Sequence, residues 1–287
     1  AGQGSDGRGS FKGGAVEEWI EQMAKRLGNY RVDIFSIHDP SLPIQEKKEH
    51  VQYWRFKPGI FSRLLLSTYK LPFKKSHSQL FYLPYYLWCA IKISQIKADI
   101  IHVHNRPHFV WILRLLNPKA KIVLHLHQIS VMEEHRVRHP PLFRDVDLFV
   151  GCSGFIIQEL LHRYPIEAKK TAVAYNALEL EQFPVVETQS EKRSRVRQEL
   201  KAHDDDKVLL YVGRLAENKG AHLLLQAVRD MIQAGHKNLK VVFCGARGYA
   251  NREITPYIQN LHETAKDIKE HVIFTGYVPH SEIGRYY

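Results

Sequence analysis

The chain has 287 residues, 44% hydrophobic and 25% charged, which is ordinary for a globular protein and long enough for two domains. Its net charge of +11 is lopsided: residues 1–180 hold 25 Lys/Arg against 16 Asp/Glu, and residues 181–287 hold 16 against 14. No apolar run is long enough for a transmembrane helix, the opening AGQGSDGRGS has no apolar core for a signal peptide, and Cys89, Cys152 and Cys244 lack C-x-x-C spacing. These features point to a cytoplasmic protein with reduced core cysteines.

In chain order, Val16, Trp19, Ile20, Met23, Ala24 and Leu27 have helical spacing, with Glu17, Glu18 and Glu21 suiting the N-terminal dipole. RVDIFSI at 31–37 alternates as a strand. Residues 39–76, Pro-rich and basic, are expected to be an irregular surface excursion. A helix follows over 78–97, then a strand at 99–104 (DIIHVH), a helix at 109–116 stopping before Asn117-Pro118, and a strand at 121–127 (KIVLHLH). DLFVGC at 147–152 reads as a strand, Ser153 as the N-cap of a helix to Arg163, and TAVAY at 171–175 as a strand ending at Asn176.

Residues 186–206 are polar and read as a linker and short helix. A second βα series then opens with the strand KVLLYV at 207–212, a helix at 221–234 whose face carries Leu223, Leu224, Ala227, Val228 and Met231, the strand KVVFC at 240–244, a helix at 254–268 and a strand at 271–274. Alternating strands and helices imply parallel βαβ units. The predicted organisation is an N-terminal Rossmann-like domain over 1–185, the linker and short helix, and a partial C-terminal domain over 207–287. Residues 1–14 offer no opening strand and Arg285-Tyr286-Tyr287 interrupts a helix signal, so truncation at both ends is expected.

Residues 44–75 hold eight Lys/Arg against two Glu, interleaved with Tyr53, Trp54, Phe56, Phe61, Tyr69 and Phe73. Such a surface suits an anionic membrane face or an acidic glycan, or is simply a solvated charged face; no nucleic-acid-binding motif accompanies it, so no nucleic-acid partner is expected.

Four constellations bear on chemistry. The most informative is GRLAENKG at 213–220, between the strand KVLLYV and a helix. Gly213 and Gly220 flank Arg214, a planar fork for phosphate oxygens, and Lys219, a mobile point charge; the helix start adds N–H groups and a positive dipole end. Gly13-Gly14 before the first helix is a second such turn. His102/His104 and His125/His127 form H-x-H pairs, each on one face of its strand. Core histidines, substrate contacts and a zinc site all remain open for them, although no carboxylate or cysteine with ligand spacing joins them. The last is the strand-end rim of the second domain: Gly245-Ala246-Arg247, and Phe274-Thr275-Gly276-Tyr277-Val278.

G-R-[LF]-x-x-x-K-G after an apolar strand resembles the donor-diphosphate motif of GT-B fold glycosyltransferases of the retaining family 4. The turn KGGAVEEW and the run LHLHQ are most similar to bacillus-type spore-coat polysaccharide glycosyltransferases. The resemblance runs from Gly13 to Tyr287, but the family's E-x7-E element is absent. It implies an α/β GT-B fold, two Rossmann-like domains facing a cleft, the second incomplete. It implies donor binding by Gly13, Gly14, Gly213, Gly220, Arg247, Gly276 and Val278, catalysis by Arg214, Lys219 and His127, and a cleft lined by His104, Asn105, Ser153 and Asn176. Asn176 matches partially, since Tyr175 and Ala177 stand where the family has Pro and Gly.

The expected activity is metal-independent, retaining transfer from a nucleotide-diphosphate sugar, a UDP-sugar, to a glycan or lipid-linked acceptor of the cell envelope or spore coat. No metal or other cofactor is expected. A non-catalytic coat or scaffold protein and a sugar-nucleotide 2-epimerase are the alternatives.

Overall fold

The computed structural model describes residues 15–57, 59, 78–133, 141–177, 190–247 and 254–287. The chain divides into two compact units, Ala1–Ala177 and Leu178–Tyr287.

The first unit runs α1 (Ala15–Arg26), β1 (Val32–Ile37), β2 (Gln45–Lys48), β3 (Val51–Phe56), α2 (Ser78–Ile96), β4 (Ile100–His104), α3 (Val110–Leu116), β5 (Lys121–Leu126), α4 (Ser130–Glu133), α5 (Pro141–Arg144), β6 (Leu148–Gly151), α6 (Gly154–Arg163) and β7 (Thr171–Val173). Strands β4 to β7 form one parallel sheet in sequential order. Continuous apolar stretches make its middle strands: Ile122, Leu124 and Leu126 of β5 and Phe149 of β6 are buried against Ala90 and Ile93 of α2, Ile112 and Leu113 of α3, and Leu160 of α6.

A smaller sheet, ordered β1-β3-β2, corrects the expectation for residues 39–76. Strands β1 and β3 pair in parallel, Val32 opposite Val51, and β2 returns antiparallel to β3. Val51, Tyr53 and Arg55 alternate inward, and the arginine at an inward position disguises the strand's period. Arg55 is only 1% exposed; its guanidinium donates to Pro43 O at 2.7 Å and to the Glu46 carboxylate at 2.8 Å, which makes the burial tolerable. Helix α1 covers this sheet through Ala24, while its buried Glu21 accepts from the Tyr53 hydroxyl at 3.1 Å.

The aromatics of 44–75 that are described serve packing, contrary to the expected open surface. Tyr53 is buried, Trp54 stacks on Phe35, and Phe56 packs on Tyr85 and Trp88 of α2. Phe61, Tyr69 and Phe73 lie outside the described residues.

The second unit comprises α7 (Ser190–Glu199), β8 (Lys207–Val212), α8 (Ala221–Gln233), β9 (Leu239–Cys244), α9 (Pro256–Thr264), β10 (Val272–Gly276) and α10 (His280–Ile283). Its parallel sheet is ordered β10-β9-β8. Central β9 is buried on both faces. Val241 and Phe243 meet Leu225 and Val228 of α8 and Leu261 of α9, whereas Val242 and Cys244 meet Leu200 and Ile283. The buried face of α8 is rotated from the expected one: Ala221, Leu225 and Val228 point inward, while Leu223 is 66% and Met231 42% exposed. Spacing selects a helix reliably, but eight apolar residues spread over a little more than half a turn leave its orientation to tertiary packing.

Candidate functional site: an imidazole ladder and a cationic loop

Alternation and register bring four histidines together in the first unit. His102 and His104 share one face of β4; His125, directly opposite His104, starts the matching face of β5 that His127 continues. The His102 and His125 rings stack with centroids 5.4 Å apart and planes 9° apart, His125 and His127 at 4.1 Å and 25°. His104 Nδ1 lies 3.0 Å from His127 Nε2, a hydrogen bond in which one ring donates and the other accepts. Trp19 of α1 caps all four, its ring 4.7 Å from His125 and perpendicular to it.

Burial sets the charge of this ladder. It pulls the His102 imidazolium down to about 4, His104 to about 2 and His125 to about 3, with neighbouring imidazoles adding to each effect. His127 is lowered by burial as well, against an opposing pull from Glu17. All four rings are therefore neutral at pH 7, and His127 can position a hydroxyl through a hydrogen bond but brings no charge. His125 is fully buried, and neither ring nitrogen has a partner among the described residues, so it is not the satisfied core histidine the sequence allowed. Leaving such a group unpaired costs about 1–3 kcal/mol, which the surrounding ring contacts must offset.

His102, His104 and His125 are also the residues that could hold a metal ion, with ligand atoms within 4.8 Å of one another. A tetrahedral zinc would need its nitrogens about 3.4 Å apart and a hydrogen-bond acceptor behind each ring. Here His104 Nδ1 is engaged with His127 Nε2, and neither His125 nitrogen has an acceptor among the described residues.

The neighbouring strand ends are fixed by hydrogen bonds. Asn105 sits in the left-handed region at φ 54°, donates its N–H to His125 O at 2.9 Å and accepts the His127 N–H on Oδ1 at 2.8 Å. It locks the ends of β4 and β5 together. Ser153 is the N-cap of α6, its Oγ accepting from Ile156 N at 3.3 Å. Asn176 lies exposed beyond β7, with no contact to the ladder among the described residues. Gly13 and Gly14 fall outside the described residues.

In the second unit the loop 213–220 is pinned on all sides. Gly213 donates to Cys244 O at 3.1 Å and Leu215, buried in the core, donates to Ala246 O at 2.9 Å. A Cβ on Gly245 would lie 1.8 Å from Gly213 O, so the backbones of these two strand ends meet where only glycine fits. Gly220 takes φ 71°, closing a 3-10 turn (Glu217–Lys219) and starting α8. Arg214 and Lys219 are exposed, and neither makes an ion pair among the described residues.

One sequence expectation changes. Three amides in the first turn of α8 are already engaged: His222 N–H donates to the Tyr257 hydroxyl at 3.2 Å, and those of Leu223 and Leu224 to Gly220 O at 3.0 and 3.3 Å. That terminus therefore has fewer amides open to an anion than the sequence suggested. On the rim, Gly276 at φ 71° accepts the Gly245 N–H at 2.9 Å, Arg247 is exposed, and Val278 packs against the face of β9 formed with Leu200 and Ile283. Trp19, Tyr211 and Tyr257 escaped sequence reasoning because their partners lie on other elements; only their placement on amphipathic segments hinted at a structural duty.

Two α/β units with parallel sheets and strand-end sites are the parts of a GT-B fold, and solved structures agree. A glycosyltransferase from Rickettsia africae ESF-5 superposes with a TM-score of 0.67 at 17% identity, covering 96% of this chain and 68% of that one. An E. coli structure titled as trehalose-6-phosphate bound with UDP-2-fluoro glucose gives 0.65 at 16% identity, covering 96% and 73%.

Sequence gives the family. Residues 14–182 match Glycosyltransferase Family 4 and residues 192–287 match Glycosyl transferases group 1. The chain belongs to glycosyltransferase family 4. It is 30% identical over 280 residues to YtcC of Bacillus subtilis (strain 168), covering 96% of this chain and 62% of YtcC. To spore coat protein SA of the same organism it is 28% identical over 283 residues, covering 97% and 68%. Alpha-monoglucosyldiacylglycerol synthase of Streptococcus pneumoniae is 28% identical over 216 residues, covering 69% and 46%. The chain thus spans about two thirds of the length of its first two relatives. Among the described residues no helix is long and apolar enough to cross a membrane.

Proposed function

We propose that the protein transfers a sugar from a nucleotide-diphosphate donor to a glycan or lipid-linked acceptor, with retention and without a metal ion. The observation that carries this reading is the rigid loop 213–220 presenting Arg214 and Lys219 as exposed cations with no ion-pair partner among the described residues. Breaking the anomeric bond leaves a diphosphate of growing negative charge, and fixed cations stabilise it where it forms. Arg214 grips planar phosphate oxygens and Lys219 follows the departing charge. His127, neutral and held by His104 and Asn105, would orient the sugar through hydrogen bonding. The acceptor oxygen attacks from the leaving-group face, so retention needs no enzyme nucleophile.

A UDP-sugar is the donor we expect, in agreement with the UDP-sugar in one structural neighbour's title. Envelope or spore-coat polysaccharide is the expected product class, supported by the spore-coat name of one relative. The reaction would take place in the cytoplasm, near an anionic membrane face through 44–75. That placement now rests on the charge of the segment, and equal sedimentation with neutral and anionic liposomes would sink it.

The test is calorimetric binding of UDP, ADP and GDP to the complete protein and to Lys219→Ala, followed by sugar transfer with and without EDTA. One nucleotide should bind selectively, about tenfold or more weaker in the variant, with transfer unaffected by chelation. Binding of none removes the donor site. Nucleotide binding without turnover favours the coat-protein reading, which the relative's name also supports. Release of an epimerised sugar nucleotide would instead identify an epimerase.

A further inference from the structure

We infer that two tyrosines, Tyr211 and Tyr257, are positioning residues that hold the cationic loop in its diphosphate-binding shape. This rests on the donor-site reading above. Tyr211, next to last in β8, turns its hydroxyl back over the loop that follows it. The oxygen lies 3.0 Å from Arg214 O and 3.3 Å from Lys219 O. A phenol has one proton to donate, so the two carbonyls share it. The carbonyls it gathers belong to the two residues that carry the loop's cations, five positions apart in sequence. One hydroxyl therefore closes the mouth of the loop and fixes the separation of the two backbone points from which Arg214 and Lys219 extend.

Its ring has little freedom. It contacts Phe243 of β9 at 5.4 Å, and a Cβ on Gly213 would come within 3.4 Å of the hydroxyl oxygen.

Tyr257 secures the other flank. It follows Pro256 in the first turn of α9, whose N-cap Thr255 accepts from Ile258 N at 3.2 Å, so its backbone is anchored. Its oxygen accepts the His222 N–H at 3.2 Å and lies 2.9 Å from His222 Nδ1. The phenol can accept from the amide and donate to Nδ1 when the imidazole proton sits on Nε2, or accept from both. The start of α8, two residues beyond Gly220, is thereby tied to α9. Each hydroxyl is engaged by the backbone or side chains of this region and works through the backbone that carries the cations.

The loop's exposure makes this role separable from stability. Without the Tyr211 hydroxyl, the carbonyls of Arg214 and Lys219 are left to water, so the fold loses little. The binding-competent loop becomes one conformer among several, and a ligand must then order two long side chains that were previously aimed. The deficit should appear only for ligands bearing the diphosphate.

The experiment measures Kd by calorimetry for UDP and uridine, or for whichever base the wild-type protein selects, on Tyr211→Phe, Tyr257→Phe and the double variant of the complete protein. Thermal unfolding and amide hydrogen exchange over 213–222 are followed alongside. The expected result is a diphosphate affinity about tenfold lower in Tyr211→Phe and lower still in the double variant. Nucleoside affinity and melting temperature should be unchanged, and exchange at Leu215 to His222 faster. Wild-type binding that survives intact in both phenylalanine variants overturns the inference while leaving the donor site standing. Unchanged exchange in the loop overturns it without reference to any ligand. Equal losses for UDP and uridine would also overturn it, as general damage. If the wild-type protein binds no nucleotide, the donor-site reading fails and this inference with it.

Discussion

The two units place their functional side chains by opposite means. In the first, four uncharged rings gather under Trp19 on adjoining strands whose ends Asn105 joins, His125 fully buried, His104 and His127 half-buried and His102 at the exposed edge. In the second, two charges stay in water while the backbone beneath them is fixed by Gly213, Leu215, Gly220 and their hydrogen bonds. Burial suits a group that must be neutral and exactingly oriented, because desolvation removes its charge for nothing further. A cation meant for phosphate cannot be buried beforehand, since that would cost it either its proton or a permanent counter-ion. Order then has to come from the main chain. The lesson is that a rigid site need not be a buried one.

This contrast can be broken at several points. The largest effect should come from Gly245→Ala, whose Cβ would overlap Gly213 O. Two strand ends would have to part, and calorimetric unfolding should show a loss of about 3 kcal/mol or more together with loss of diphosphate binding. Next is Trp19→Ala, which uncaps the ladder. We expect a loss of about 2–3 kcal/mol, below the range for a fully buried tryptophan because Trp19 is only half-buried. The His102, His104 and His125 titrations should move upward toward 6.5 when followed by NMR.

Acid sharpens the comparison further. These imidazoles have folded-state values below their ordinary one, so the unfolded chain binds more protons between about 4 and 6.5. Their stabilising contribution is whole above about 6.5 and shrinks as pH falls through that window. From pH 7 to 5 the first unit should lose at most about 2 kcal/mol from fully buried His125, with half-buried His104 and exposed His102 each contributing less. The second unit's melting transition should hardly shift over the same range; coincident shifts would contradict the assignment. Smallest is Ser153→Ala, where loss of the α6 cap should lower stability by about 1 kcal/mol in urea titration without touching nucleotide affinity.

Much of this was legible in the sequence where period and local chemistry coincide. The apolar runs KIVLHL and KVVFC announce central strands, Ser153 announces its cap, and the H-x-H spacing requires each pair to share a face. Legibility fails where a residue's role depends on a partner far along the chain. Strand β3 was hidden because Arg55 occupies an inward position that only Pro43 and Glu46 make acceptable. The α8 amides looked open to phosphate because nothing local reveals that Tyr257, 35 positions later, already accepts one of them. The inward face of α8 is illegible for the same reason, Leu223 being apolar yet turned to solvent.

The seating of Trp19 over four imidazoles has a practical corollary. Protonated imidazole quenches indole emission far more strongly than the neutral ring does. Trp19 is therefore a built-in optical gauge of the state of the ladder beneath it. With Trp54, Trp88 and Trp111 replaced by phenylalanine, its emission intensity and lifetime would register any event that protonates or displaces one of those rings. A ligand settling at the carboxyl ends of β4 and β5 could then be followed in real time with no label attached.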